Sequence, residues 1–85
     1  MSDSIIIWKF LQRQFPDDHP SIYVYVAGQK RSEETAISTI MSLTKPIFCP
    51  PLAEPFVLNI VKSYLDRKKQ DYKNGKIRVK SLYDI

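Results

Sequence analysis

The segment from Glu54 to Lys73 constrains the fold most, because its apolar residues recur at the spacing of one helical face. That stripe consists of Val57, Ile60, Val61, Tyr64, Leu65 and Tyr72. Polar residues occupy the other side, as in an amphipathic helix packed against a core. Pro55 is tolerated at a first helical position, and Asn74-Gly75 supplies a stop. We therefore predict a helix over 54–73.

The N-terminal residues predict a shorter helix. Asp3 or Ser4 can cap its start, and Pro16 stops it before a turn at 16-PDDHP-20. Its buried stripe is formed by Ile7, Trp8, Leu11 and Phe15.

A further helix is predicted to begin at Ser32, whose side chain can cap it. Glu33 and Glu34 follow in the first turn, where the helix dipole favours anions. Its apolar stripe consists of Ala36, Ile37, Ile40 and Met41. We expect the chain then to pass through Lys45 into an extended loop, stiffened by Pro50 and Pro51.

Two segments are ambiguous. In 21-SIYVYVAG-28, the β-branched and aromatic residues favour a buried strand, although the segment is too short to exclude a helix. The segment 76-KIRVKSLYDI-85 begins with strand-like alternation and ends in a pattern that also suits a short helix. We therefore predict one domain over 1–85, mainly α or α+β, with three or four short helices and one or two short strands.

The chain is small for a self-sufficient core. It has 85 residues and a single cysteine, Cys49, so an intramolecular disulfide is excluded. Cys49 and His19 are too few ligands for a structural zinc, and we expect no metal and no cofactor. Stability must then come from packing or from oligomerisation, which makes a homodimer one of the expected assemblies.

The composition argues against an enzyme. Cys49 and His19 form the one nucleophile–base pair available, and nothing in their spacing brings them together. Two glycines cannot build a glycine-rich phosphate loop. Asp17 and Asp18 are neighbours on a turn, where carboxylates usually cap or face solvent. We expect no catalytic residues.

The clearest electrostatic feature is a basic C-terminal segment. Between Lys62 and Lys80 lie eight basic and two acidic residues, a net +6 within a chain of net +4. Such asymmetry favours an anionic partner. The residues predicted to bind it are Arg67, Lys68, Lys69, Tyr72, Lys73, Lys76 and Arg78.

Three interpretations of this basic segment stay open. It can be the solvated side of a helix followed by a charged edge strand, with no partner at all. It can bind a protein with an acidic surface, with Tyr72 as an interface anchor. It can also bind nucleic acid, since Tyr72 interleaved with Lys and Arg suits phosphate contacts and one stacked base.

The N-terminus lacks the pattern of a signal peptide. Asp3 precedes the apolar run Ile5–Trp8, and Lys9 interrupts it. No stretch approaches the ~20 apolar residues of a membrane span. We expect a cytoplasmic location, or a periplasmic one if a signal peptide has been removed, and no membrane partner.

Four short motifs resemble a known family. They are Tyr25-Val26-Ala27-Gly28, Phe48-Cys49-Pro50-Pro51, Val61-Lys62-Ser63-Tyr64-Leu65 and Val79-Lys80-Ser81-Leu82. Their order is similar to that in small bacterial immunity proteins against type VI secretion amidase effectors. Members of that family are exported and usually carry paired cysteines, whereas this chain has one cysteine and lacks the sequence pattern expected of a signal peptide.

The resemblance implies a mostly helical fold, with 21–28 as a helix, and a protein that binds and blocks an enzyme. Together with the basic segment, it leads us to predict a small non-enzymatic binding module. Such a module acts as an inhibitor, an immunity protein or an accessory factor, and the alternative is a nucleic-acid-binding accessory protein using Arg67–Lys80.

Overall fold

The computed structural model describes residues 2–28, 30–48 and 54–77, and these residues form four α-helices and no strand. The helices are α1 (Ser2–Gln14), α2 (Pro20–Ala27), α3 (Lys30–Phe48) and α4 (Glu54–Lys73). The prediction of a small, mainly α protein is thus confirmed. The helix predicted over 54–73 is confirmed with the same bounds, and Gly75 follows it at φ +77°.

Helix α1 begins at Ser2, slightly before the predicted caps, and ends just before Phe15. Ile7, Leu11 and Phe15 are buried as predicted. Phe10 is buried too, and its ring meets that of Phe48 edge-on at 5.1 Å between centroids. This contact sets α1 against the C-terminal end of α3.

Helix α2 corrects the strand that propensity favours for 21–28. His19 caps it, since its Nδ1 accepts a hydrogen bond from the Ser21 N–H at 3.1 Å, and Pro20 holds the first helical position. Ile22, Tyr25 and Val26 are buried on one side. The cap, the proline and this burial outweigh the β propensity of Val and Tyr, which is a weak local preference.

Helix α3 is longer at both ends than predicted. It begins at Lys30, before Ser32, and runs through Pro46 to Phe48. A proline inside a helix lacks the N–H that would bond to the residue four positions earlier. The predicted helix end before the prolines is wrong, and the packing of the partly buried Phe48 against Phe10 favours the longer helix.

Helix α4 is the element that joins the others. Tyr64 is fully buried, and its hydroxyl donates to the Phe15 carbonyl at 2.8 Å, so it holds the end of α1. Lys45 and Glu54 form an ion pair of 3.1 Å between α3 and the start of α4. The core between the helices consists of Ile7, Phe10, Leu11, Phe15, Ile22, Tyr25, Val26, Ala36, Ile40, Val57, Val61, Tyr64 and Leu65.

Some predictions fall outside the described residues. These are the loop with Cys49, Pro50 and Pro51, and residues 78–85 of the segment 76–85, for which the sequence leaves strand and short helix open. Lys76 and Ile77 are described. Neither residue is helical, and Ile77 is buried. Among the four helices, none has the length and apolar character needed to cross a membrane.

Candidate functional site

The buried side of α4 determines which of its residues face solvent. Val57, Val61, Tyr64 and Leu65 are each at most 1% exposed. Burying four large apolar side chains on one side of a helix leaves the other side facing solvent in a defined direction. Charged residues on that outer side are therefore presented from a rigid support.

Four exposed lysines form what we call the basic stripe. Lys62, Lys69 and Lys73 lie on one side of α4 at spacings of seven and four residues, over about 16 Å along the axis. Lys76 follows just beyond the helix end. The exposed Asp66 lies on the same side of α4, one turn after Lys62, and partly offsets the charge of the stripe. Lys62, Lys73 and Lys76 form no ion pair with any described residue, so their charges are available to an anion.

Lys68 belongs to the predicted set but points inward. Its Nζ lies 2.7 Å from an Asp17 carboxylate oxygen and 5.2 Å from the centre of the Tyr64 ring. Its side chain is 14% exposed. Lys68 therefore connects α4 to the turn after α1 and has little surface to offer a partner.

Arg67 lies on a different flank of α4 from the basic stripe. Its Nε is 3.7 Å from an Asp71 carboxylate oxygen one turn later, and its side chain is 67% exposed. A pair of this kind contributes little to stability in water. Arg67 and the stripe thus do not form one continuous surface, and Arg78 lies outside the described residues.

Lys69 has a mixed electrostatic environment. Its Nζ is 5.4 Å from the centre of the Tyr25 ring. Burial raises the pKa of Tyr25, and the negative charges of Glu33 and Asp66 raise that pKa further. Because these two carboxylates lie near the same ring, they partly offset the charge of Lys69.

Tyr72 provides an aromatic group within the stripe. It is 39% exposed and lies on the last turn of α4, three residues after Lys69 and four before Lys76. At a spacing of three residues, Lys69 and Tyr72 project from neighbouring positions on the helix, and Lys76 follows beyond the helix end. A half-exposed ring among lysines suits an interface anchor or a stacked base.

His19, the one histidine of the chain, has a structural role at the start of α2. His19 Nδ1 is engaged by the Ser21 N–H, and the His19 ring packs edge-on against Phe15 at 4.9 Å. No group of three potential metal ligands occurs within the described ranges. Cys49, the only nucleophile that the composition offers to pair with His19, lies outside them.

An apolar surface near the stripe was not predicted. Leu43 and Ile47 continue the stripe of Ala36 and Ile40 on α3, yet they are 44% and 58% exposed. The sequence signal was the continued periodicity in 40-IMSLTKPI-47, which the prolines led us to cut short.

Comparison with protein-family models, curated proteins and solved structures found no match for this chain.

Proposed function

We propose that this protein is a non-enzymatic binding module that occludes a partner protein with an acidic surface. The observation that carries the proposal is the basic stripe, four exposed lysines on and beside a helix whose inner side is buried. Tyr72 serves as its anchor. Lys68 is omitted from the contact set because of its inward position.

A fixed row of cations acts mainly on association. Complementary charge steers an acidic partner and speeds encounter, and the effect weakens as salt rises. Because α4 is already folded, the partner does not have to order the backbone that carries Lys62, Lys69 and Lys73. In the manner of an inhibitor or immunity protein, the bound module then covers the partner's functional surface.

Charge-matched variants test the proposal. Partners are captured from the native host with the immobilised wild-type protein and identified by mass spectrometry, and binding rates are measured with the purified partner. We expect the pair Lys62→Gln and Lys73→Gln to lower the association rate constant roughly tenfold at low salt. The pair Lys9→Gln and Arg13→Gln removes the same charge from α1 and serves as the control. Equal rates for the two double variants would contradict the proposal.

A second candidate function uses the same surface. The exposed Tyr72 ring among Lys69, Lys73 and Lys76 has the composition of a stacking platform for single-stranded nucleic acid. A gel-shift experiment with non-specific DNA and RNA at low salt separates the two functions. Absence of binding at about 100 μM protein removes this candidate, since non-specific affinities are about 10⁻⁴ to 10⁻⁶ M.

A further inference from the structure

The described residues cover only part of the side of the α3–α4 pair that lies opposite α1. Helix α1 contacts this pair through Phe10 on Phe48 and through Trp8 on Tyr64. Leu43 and Ile47 lie roughly 100–140° around α3 from Phe48, and Lys62 lies roughly 160° around α4 from Tyr64. These three residues therefore face away from α1.

Helix α2 covers one end of that opposite side. It has eight residues, about 12 Å, whereas α3 has 19 residues, about 28 Å. Tyr25 of α2 contacts Lys69 in the second half of α4. Only Gly28 and one further residue separate the end of α2 from the start of α3. The C-terminal half of α3 and the N-terminal half of α4 thus lie beyond its reach.

We call the uncovered part the open face: Leu43 and Ile47 of α3, with Leu58 and Lys62 of α4. On α3, the change from buried to exposed side chains marks the edge of the open face, because Ile40 is fully buried whereas Leu43 and Ile47 are about half exposed. On α4, Leu58 is half-buried and Lys62, one turn later, is exposed. The open face is thus apolar along α3 and basic along α4.

The distribution of charge selects the occupant. No charged residue occurs from Thr35 to Thr44 on α3, and depletion of charge is typical of the buried centre of protein interfaces. On α4, Lys62 stands along one border, whereas Lys69 is already in contact with Tyr25 of α2. A complementary ligand needs apolar side chains on one edge and carboxylates on the adjacent edge. An amphipathic helix presents these two edges side by side.

We propose that the open face receives an acidic amphipathic helix of the partner protein. Its apolar side chains pack on Leu43, Ile47 and Leu58, and its carboxylates lie beside Lys62. This inference rests on the proposed function and adds the chemistry and secondary structure of the segment that binds.

Defined peptides probe the open face directly. One peptide of about 18 residues, roughly five helical turns, places leucines on one edge and glutamates on the next. Two comparison peptides are its scrambled sequence and a version with lysine in place of glutamate. Amide shifts of the ¹⁵N-labelled full chain locate the contact. We expect the acidic peptide to perturb Leu43, Ile47, Leu58 and Lys62, and the lysine peptide to perturb none of them.

Matched double variants give the quantitative test. Leu43→Ser with Ile47→Ser is expected to weaken the acidic peptide roughly tenfold or more, as loss of buried apolar contact requires. Ile5→Ser with Ile6→Ser, at 58% and 52% exposure on α1, is the control and should leave affinity unchanged. Unchanged circular dichroism and melting temperature verify the fold of each variant.

Other outcomes overturn the inference and remain distinguishable from one another. Sensitivity to Lys62→Gln and Lys73→Gln alone, with equal binding of the scrambled peptide, removes the open face and leaves the proposed function standing. Shifts of the open face that grow with protein concentration, without peptide, assign it to a second copy. Perturbation of Tyr72 and the lysines by a single-stranded oligonucleotide, with no response to the acidic peptide, overturns both proposals.

Discussion

Tyr64 links α4 to α1 with both parts of its side chain. Its ring packs edge-on against Trp8 at 5.1 Å between centroids, and its hydroxyl donates to the Phe15 carbonyl at 2.8 Å. That carbonyl lies just past the end of α1, where backbone oxygens lack partners within the helix. The phenol therefore satisfies a helix end that burial would otherwise leave unpaired.

Because of this arrangement, we expect the free energy of unfolding to decrease at alkaline pH. Burial, followed by the negative charge of Asp17, raises the pKa of Tyr64 from 10.0 to about 12. Because the folded pKa is the higher one, the contribution of neutral Tyr64 is full below about pH 10 and is lost as the pH rises towards 12. We expect Tyr64→Phe to cost about 1 kcal/mol at neutral pH and to flatten this alkaline fall. Urea unfolding across the pH range checks it, with exposed Tyr72→Phe as control, and identical alkaline slopes would contradict it.

Among the described residues, Thr44 has a buried hydroxyl group that no hydrogen bond compensates. It is fully buried in α3, and its hydroxyl oxygen has no hydrogen-bond partner among the described residues. A buried unpaired hydroxyl costs stability that an apolar group of the same shape recovers. We expect Thr44→Val to raise the free energy of unfolding by about 1 kcal/mol. Exposed Thr39→Val should change it by less than about 0.5 kcal/mol, and destabilisation by Thr44→Val would reveal a partner for the hydroxyl.

At the scale of the elements, the junction of α2 and α3 depends on close approach. A Cβ on Gly28 would collide with the Val24 carbonyl oxygen and lie 2.6 Å from the Ser32 hydroxyl oxygen. The carbonyl belongs to the backbone of α2, so it cannot move without shifting that helix. The glycine therefore allows two helices to meet across a very short connection.

The two glycines provide a matched pair of substitutions. Gly28→Ala should cost about 2 kcal/mol, because it overpacks a fixed backbone. Gly75→Ala meets nothing within 4 Å and pays only for its φ of +77°, about 1 kcal/mol. Chemical denaturation of both variants gives the comparison. The opposite order of destabilisation would show that α2 and α3 can separate at their junction.

The elements differ in how far the sequence determines them. Helix α4 was predicted with its observed bounds because it is long, periodic and marked at both ends by Pro55 and Gly75. Helix α2 was not, because eight residues rich in Val and Tyr carry too little periodicity. The same limit applies to the site. The lysines were found as a segment, but the inward direction of Lys68 depends on Asp17, 51 residues away.

For the whole molecule, the ion pair of Asp17 and Lys68 closes the first half of the chain onto the second. Its atoms are 2.7 Å apart, with the lysine largely buried and the carboxylate half exposed. The pair of Lys45 and Glu54 is half exposed on both sides. Partial burial reduces screening, so the first pair should contribute more than the second.

Double-mutant cycles measure this difference. For Asp17→Asn and Lys68→Met we expect a coupling energy of about 1 kcal/mol. For Lys45→Met and Glu54→Gln we expect about 0.3 kcal/mol, falling further in high salt. Equal couplings would mean that the first pair is screened as fully as an exposed one.

The bond between Tyr64 and Phe15 also has a consequence for the order of folding. Its partners are separated by 49 positions, so the chain must close a long loop before α1 gains its place. During synthesis, α1 emerges first and its docking surface on α4 emerges much later. The N-terminal helix therefore spends most of translation without a partner, and its final docking accompanies the folding of α4.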